Sequence, residues 1–420
     1  MPKISLSGPA DLLTIIPFHL GFQPARSVVV VCFHGKRLGL VARLDLVDGA
    51  LAPEAAAQTL PTLLDGSPSS VAVVGFEDEQ DESLPLLDEL VAGLEQRRVI
   101  VRERLVVRDG RWRSIGCDCC PDEGWLLPEQ ADVPAVASYV ALGHSVLPDR
   151  AGLARLVEPL DQSARRHALT VSAIEDWQRR YADAGGSVSG SPNRASRRRR
   201  RSGSGEGGLG LLDGGDPTPR QFLVNDGLVA WGGMLHGEIE GYGLEHWLPS
   251  VVGPLRDVEF RDAVVGWLCP GSVPLDSFPP DLVTMLEVFL GPDLRVLPAV
   301  RDDVSVGAVG VGETPRDPVG APGEPVDDVG GWDEGAGWDD WDEAAAPRQL
   351  LSRLEEACRL TPAAHAAPLL SLLASLAWWC GDGARAGVAV DRALELEPDH
   401  RLSRLVRQSL DHGIRPPRCA

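Results

Sequence analysis

The residues of this chain whose types and spacing best suit chemistry are those of the run Cys117-Asp118-Cys119-Cys120-Pro121. Thiolates this close can share a soft metal such as zinc, or act in thiol exchange. His144 lies downstream as a further donor. A zinc site usually pairs two spaced Cys-x-x-Cys units, and no second unit is present. Completing the ligand set of Cys117, Cys119 and Cys120 would require Cys269, Cys358 or a distant histidine. The alternative is a turn whose partly buried free cysteines pack as small hydrophobes.

Four further residues are candidates for binding. Arg43 and Asp45 sit on one face of an otherwise apolar segment and could line a cleft at a strand end. Such a pair is otherwise a mutually paired, solvated face. His19 and His34 flank a strongly β-forming run and could meet in space, although a lone histidine near a turn is more often only hydrogen-bonded. The run His34-Gly35-Lys36-Arg37 lacks the glycine spacing that lets backbone amides cradle phosphate. Gly-x-Ser-x-Gly, His-Glu-x-x-His and EF-hand patterns are absent from the sequence.

Two low-complexity stretches carry the remaining candidates. Residues 185–219 are rich in Gly and Ser and hold an arginine run at 197–201. This run could grip nucleic acid or pair with the chain's own acidic insert. Residues 301–347 contain Trp332-Asp333-Glu334, Trp338-Asp339-Asp340 and Trp341-Asp342-Glu343. Aromatic anchors flanked by acid suit a short motif that docks a basic groove on a protein partner. The bland alternative is an insert without function. Neither stretch has the apolar content to offset the entropy of ordering, so both are expected to be disordered.

The elements that must position these residues are legible in the flanking sequence. Pro9 suits a first helical position, and Leu12, Leu13, Ile16 and Leu20 recur at helical spacing. Pro17 should kink or shorten that helix, and Gly21 should end it. The continuous run Val28-Val29-Val30-Val31-Cys32-Phe33 predicts a strand buried on both faces. Leu38 to Leu46 alternates and predicts a strand with one buried face. Helices are predicted at 53–64 and 84–98, with strands at 70–76, 99–107 and 111–115, the last two joined at Asp109-Gly110. Helices interleaved with strands predict a layered, mixed α/β sheet over 1–130. Residues 131–184, 220–300 and 348–415 read as helical. The tail run 386–400 resembles the second helix of a tetratricopeptide repeat. It covers about one and a half units, fewer than the three a solenoid wants, so a docked helical hairpin is expected.

Several of these stretches together resemble the actinobacterial family known as domain of unknown function (DUF) 4192. The carriers are the opening DLLTIIPFHLGF, SVVVVCF and LGLVARLDL, then Arg111-Trp112-Arg113-Ser114 leading to Cys119-Cys120-Pro121 and Gly124. Leu255-Arg256-Asp257 with Arg261-Asp262, and Ala377-Trp378-Trp379-Cys380-Gly381-Asp382-Gly383, complete the set. The resemblance implies no activity and no catalytic residue.

Composition narrows the classes. At 420 residues there is room for two or three domains. A net charge of −21 argues against nucleic acid as the main partner, because phosphate binding wants a basic field. The first residues form no apolar secretory segment, and no run of about twenty apolar residues appears. The expectation is a cytoplasmic, non-membrane protein with reduced thiols. Its expected role is protein interaction or scaffolding through the helical tail and the Trp motifs. The alternative is a metal- or thiol-dependent enzyme, or a small-ligand binder, using the cysteine cluster beside the sheet.

Overall fold

The computed structural model describes residues 4–6, 8–35, 37–117, 120–141, 144–161, 163–185, 218–296, 304–306, 347–414 and 416. Most of the two low-complexity stretches, including the arginine run and the Trp motifs, lies outside the described residues.

The chain opens with strand β1 (Ile4–Leu6) and helix α1 (Pro9–Leu20). Pro9 takes the first helical turn, where its missing N–H costs nothing. The helix runs on through Pro17 and ends at Gly21, whose φ of 78° is the left-handed conformation expected there. β2 (Ser27–His34) follows, buried along nearly its whole length, then β3 (Arg37–Asp45). α2 (Ala52–Asp65), β4 (Ser70–Phe76), α3 (Leu84–Gln96) and β5 (Ile100–Arg108) come next. β6 (Arg111–Ser114) returns through Asp109 and Gly110, both at positive φ, which matches the twist of a tight hairpin. β7 (Trp125–Leu126) ends this series, and β8 (Val304–Val306) joins from far along the chain.

These strands form one mixed sheet in the order β1-β8-β3-β2-β4-β5-β6-β7. β2 is antiparallel to both of its neighbours, β3 and β4, whereas β4 and β5 are parallel. Alternation along β2 divides the core between two faces. Val28, Val30 and Cys32 meet Leu60 and Leu63 of α2 and Leu87 and Leu90 of α3. Val29, Val31 and Phe33 meet Leu12, Leu13 and Ile16 of α1 on the other side. That second face also receives Tyr139 of α4 (Pro134–Ala141) and Leu153 of α5 (Arg150–Arg155). The sheet is therefore the middle of three layers.

The helical region contains α6 (Ala164–Asp183), α7 (Pro219–His236), α8 (Tyr242–Val252), α9 (Val258–Leu268) and α10 (Pro280–Leu290). The tail adds α11 (Pro347–Leu360), α12 (Ala363–Trp379), α13 (Gly383–Leu396) and α14 (Arg401–Asp411). One continuous core joins both groups, from Ile174 and Trp177 through Trp231 and Leu286 to Leu373, Trp379 and Val390. Trp379 further ties the tail in by donating its indole N–H to Val296 O at 2.6 Å. The tail thus docks as a hairpin on the rest of the molecule, with its apolar stripe inside.

One local expectation fails. Pro368 suits a first helical position by sequence, but α12 already begins at Ala363 and carries Pro368 in its interior. A proline there deprives the carbonyl four residues earlier of its amide partner. That carbonyl is Ala364 O, and Arg256 Nη2 donates to it at 3.4 Å. The freed acceptor is thereby satisfied from outside the helix.

Candidate functional site

The candidate residues fall at two ends of the sheet, and the ends differ. Arg43 and Asp45 lie where β2 starts and β4 finishes, since Ser27 pairs with both Asp45 and Phe76. Arg43 Nη1 is 2.7 Å from Asp45 Oδ1, and Arg43 Nη2 donates to Ala25 O at 3.2 Å. Its guanidinium also stands 5.6 Å from the Phe22 ring centre, and Arg150 approaches Asp45 at 3.5 Å. The pair is thus held by local partners.

The same end carries the C-termini of the parallel strands β4 and β5, where open α/β sheets commonly bind ligands. Here a loop closes it. The buried Glu77 accepts from Ser83 Oγ at 2.6 Å, Ser83 N at 3.1 Å and Asp81 N at 3.1 Å. Glu82 accepts from Asp78 N at 2.6 Å and pairs with Arg26 at 3.1 Å. A β-carbon on Gly75 would stand 2.0 Å from Ser83 Oγ, so the loop lies directly against the strand.

His34 sits at the opposite end of β2, on the α2 side of the sheet. Its ring lies over Gly39 of β3: a β-carbon there would stand 2.8 Å from His34 Cδ2 and 2.9 Å from Nε2. Gly66, which caps α2, borders the other edge of the ring, with its notional β-carbon 3.6 Å from Cε1. Among the described residues the imidazole has no hydrogen-bond partner. It opens onto a cleft of 410 Å³ lined also by Cys32, Leu40, Thr62, Asp65 and Pro68. The tail supplies the far wall through Gly413 and Ile414. Gly413 has φ 62°, and a β-carbon on it would collide with Thr62 Cγ2 at 2.3 Å. Trp378 fixes the same segment by donating its indole N–H to Ile414 O at 2.8 Å.

Within this cleft Cys32 is 1 % exposed, and its thiol points to Leu63 O at 3.9 Å. Asp65 is the single carboxylate of the described lining, which includes no lysine or arginine. The arrangement offers a hydrogen-bonding imidazole, a hydroxyl from Thr62 and one negative charge, against apolar walls from Leu40 and Ile414.

His19 is elsewhere. It accompanies the buried Tyr139 on the α1 side of the sheet, where the Tyr139 hydroxyl meets His19 Nε2. His144 stacks edge-on against the same tyrosine, with ring centres 5.1 Å apart, and its Nδ1 lies 3.2 Å from Phe18 O. His19 and His34 are therefore separated by the sheet.

The cysteine cluster follows β6. Cys117 is engaged in a disulfide, so the expectation of reduced thiols fails at this cysteine, whereas Cys32, Cys120, Cys269, Cys358 and Cys380 are free. Cys119 lies outside the described residues. Cys120 is half-buried, and its Sγ accepts from Ser114 N at 3.5 Å. Among the described residues no group of three or more metal-ligating side chains gathers. Trp332, Trp338 and Trp341 also lie outside them.

Arg256, Asp257, Arg261 and Asp262 form a junction between the middle helices and the tail. Asp257 caps α9 by accepting from Glu259 N at 2.9 Å, and it accepts the Tyr181 hydroxyl at 2.6 Å. Burial, followed by the Asp257 carboxylate, pushes the Tyr181 phenol well above its ordinary range. Arg256 bridges to Glu397 at 3.1 Å, and Arg261 pairs with Asp262 at 2.7 Å.

Sequence reasoning named His34 but missed the groups around it. One signal was available. Gly39 interrupts an otherwise alternating strand, and a glycine there marks the close approach of another group. Gly66 and Gly413 gave no comparable cue.

A family model described as a domain of unknown function (DUF4192) matches residues 9–270 and 309–417. No curated protein and no solved structure matches the chain. Among the described residues no helix is long and apolar enough to cross a membrane.

Proposed function

The chain belongs to the DUF4192 family, and from that premise we propose that it is a small-ligand-binding protein whose site is the His34 cleft. The carrying observation is the imidazole of His34, seated over Gly39 and beside Gly66 with no partner of its own among the described residues, at the mouth of a cleft between sheet and tail. Ligand sites favour such junctions between structural units, and their volumes run from about 300 to about 1,000 Å³. The charge of the lining selects the ligand: with Asp65 as its carboxylate and no lysine or arginine among the described lining residues, the cleft fits a small neutral or cationic polar molecule. Binding is favoured over catalysis because the Cys32 thiol is buried and turned to a backbone carbonyl. A partner-binding role through the tail has weaker support, because the stripe formed by Leu369, Leu372, Leu373 and Leu376 is buried in the shared core. Docking through Trp332, Trp338 and Trp341 stands on sequence alone.

The test uses a cleft-filling variant. Gly66 has φ −77°, which any residue adopts, so Gly66→Leu fills the space beside His34 without backbone strain. Full-length protein is equilibrated with the deproteinised low-molecular-weight fraction of a cell extract. Retained molecules are then identified by mass spectrometry. A compound retained by the native chain and absent from Gly66→Leu is expected. Identical retention by both proteins, or none by either, overturns the reading.

A further inference from the structure

The connection between β6 and β7 holds two cysteines in different redox states. Cys117 is engaged in a disulfide, whereas Cys120 is a free thiol. We propose that this loop is a thiol–disulfide exchange site, in which Cys120 attacks the Cys117 disulfide and the substrates are low-molecular-weight thiols and their disulfides. Strands bracket the loop: Trp112 of β6 pairs with Trp125 of β7, and Ile115 N donates to Arg104 O of β5 at 2.7 Å. Between them the chain reverses. Gly116 takes φ 80°, and Ser114 N donates to Cys120 Sγ at 3.5 Å, which brings position 120 back beside the end of β6. Cys117 lies on the bend so formed. Beyond Cys120, a β-carbon on Gly124 would stand 2.8 Å from Trp112 O, so the loop is pressed against the strand. Cys117 and Cys120 are both half-buried, and their spacing is that of a Cys-x-x-Cys redox pair.

The other free thiols are poorly placed for exchange. Cys32 is 1 % exposed and faces a backbone carbonyl. Burial pushes the Cys269 and Cys358 thiols well above their ordinary range. Burial, followed by the Asp382 carboxylate, holds the Cys380 thiol up at about 12. Among the described free cysteines, Cys120 therefore combines access with a disulfide three positions away. The first step balances without an outside oxidant. Cys120 gives its proton to solvent, and the thiolate attacks Cys117 Sγ. A Cys117–Cys120 bond forms and the bond from Cys117 to its present partner breaks. The departing sulfur keeps the electron pair and takes up a proton. A small thiol then attacks the new bond, and a second small thiol displaces the first from the mixed disulfide. Two thiols become one small disulfide, while Cys117 and Cys120 receive the two electrons and two protons. A small disulfide restores the protein by the reverse path.

Reduced and oxidised glutathione are the probe, applied over a series of ratios to the folded full-length protein. Free thiols are trapped with N-ethylmaleimide, and fragment mass spectrometry locates each label. The native chain is expected to show a population in which Cys120 is unlabelled and linked to Cys117, rising and falling reversibly with the ratio. Cys120→Ser, which changes only the sulfur, should slow the opening of the Cys117 disulfide by glutathione about tenfold or more, through loss of the internal attacking thiolate. The labelling pattern of the native chain stands as a test even if that variant folds poorly. Complete labelling of Cys120 at every ratio, a Cys117 disulfide that no ratio opens, or equal opening rates in the native chain and Cys120→Ser overturns the proposal.

Discussion

The two ends of the sheet differ in the residue types they carry and in what those residues have left to offer. At the Glu77 end, acids and arginines are abundant. Yet both Glu77 and Glu82 already accept backbone amides, and the loop they organise lies against β4. At the His34 end there are fewer polar groups, but one imidazole has no hydrogen-bond partner among the described residues and faces a cleft. Charge density alone therefore does not mark a site. What distinguishes the His34 end is unused hydrogen-bonding capacity beside space that glycine side chains leave open.

The largest predicted effect tests the closed end. Glu77→Ala leaves Asp81 N, Ser83 N and Ser83 Oγ without their acceptor. It should cost roughly 3 kcal/mol in urea unfolding, with ligand retention at the distant cleft unchanged. A cost near zero would mean that this loop is not the structural plug described here.

The tail wall of the cleft should respond to acid. His400 caps α14, with Ser403 N donating to its Nδ1 at 3.4 Å. Burial first, and then Arg261 and Arg256, hold its pKa down at about 4, below the ordinary 6.5. In this window the unfolded chain binds the proton and the folded chain does not. Stability from this group is thus complete above pH 6.5 and is lost as pH falls toward 4. Hydrogen exchange at 401–414 should rise across that interval, and His400→Asn, which keeps a capping oxygen, should flatten the profile.

Smaller effects belong to the glycines. Gly39→Ala places a β-carbon against the His34 ring and 3.1 Å from Cys32 O. It should displace the imidazole and lower stability by about 1–2 kcal/mol, read from the thermal midpoint and from the His34 ring signals. Gly413→Ala, at φ 62° and against Thr62, should cost about 1 kcal/mol and release Ile414 from Trp378. A Trp378 fluorescence unchanged by Gly413→Ala would argue against a tightly held tail wall.

Much of the scaffold was legible because it rests on local chemistry. The apolar run at Val28–Phe33 could only be a central strand, Pro9 and Gly21 bracket α1, and Asp109-Gly110 makes its hairpin. The tail's docking also followed from having too few repeat units to stand alone. The cleft was not legible, since it joins the neighbouring ends of β2 and α2 to Gly413, which lies hundreds of positions further along the chain. Nor could the acid-rich run from Glu77 to Glu82 reveal that its carboxylates are turned onto their own backbone amides. Likewise, no local pattern places β8 beside β3 through the pair Arg37 and Ser305.

The most direct test of which end binds is hydrogen–deuterium exchange on the full-length protein, with and without the low-molecular-weight fraction of deproteinised extract. Protection confined to 62–68 and 409–414, the α2 and tail walls around His34, is the predicted result. Protection at 77–83, or no protection anywhere, would contradict the assignment of the His34 cleft as the ligand site.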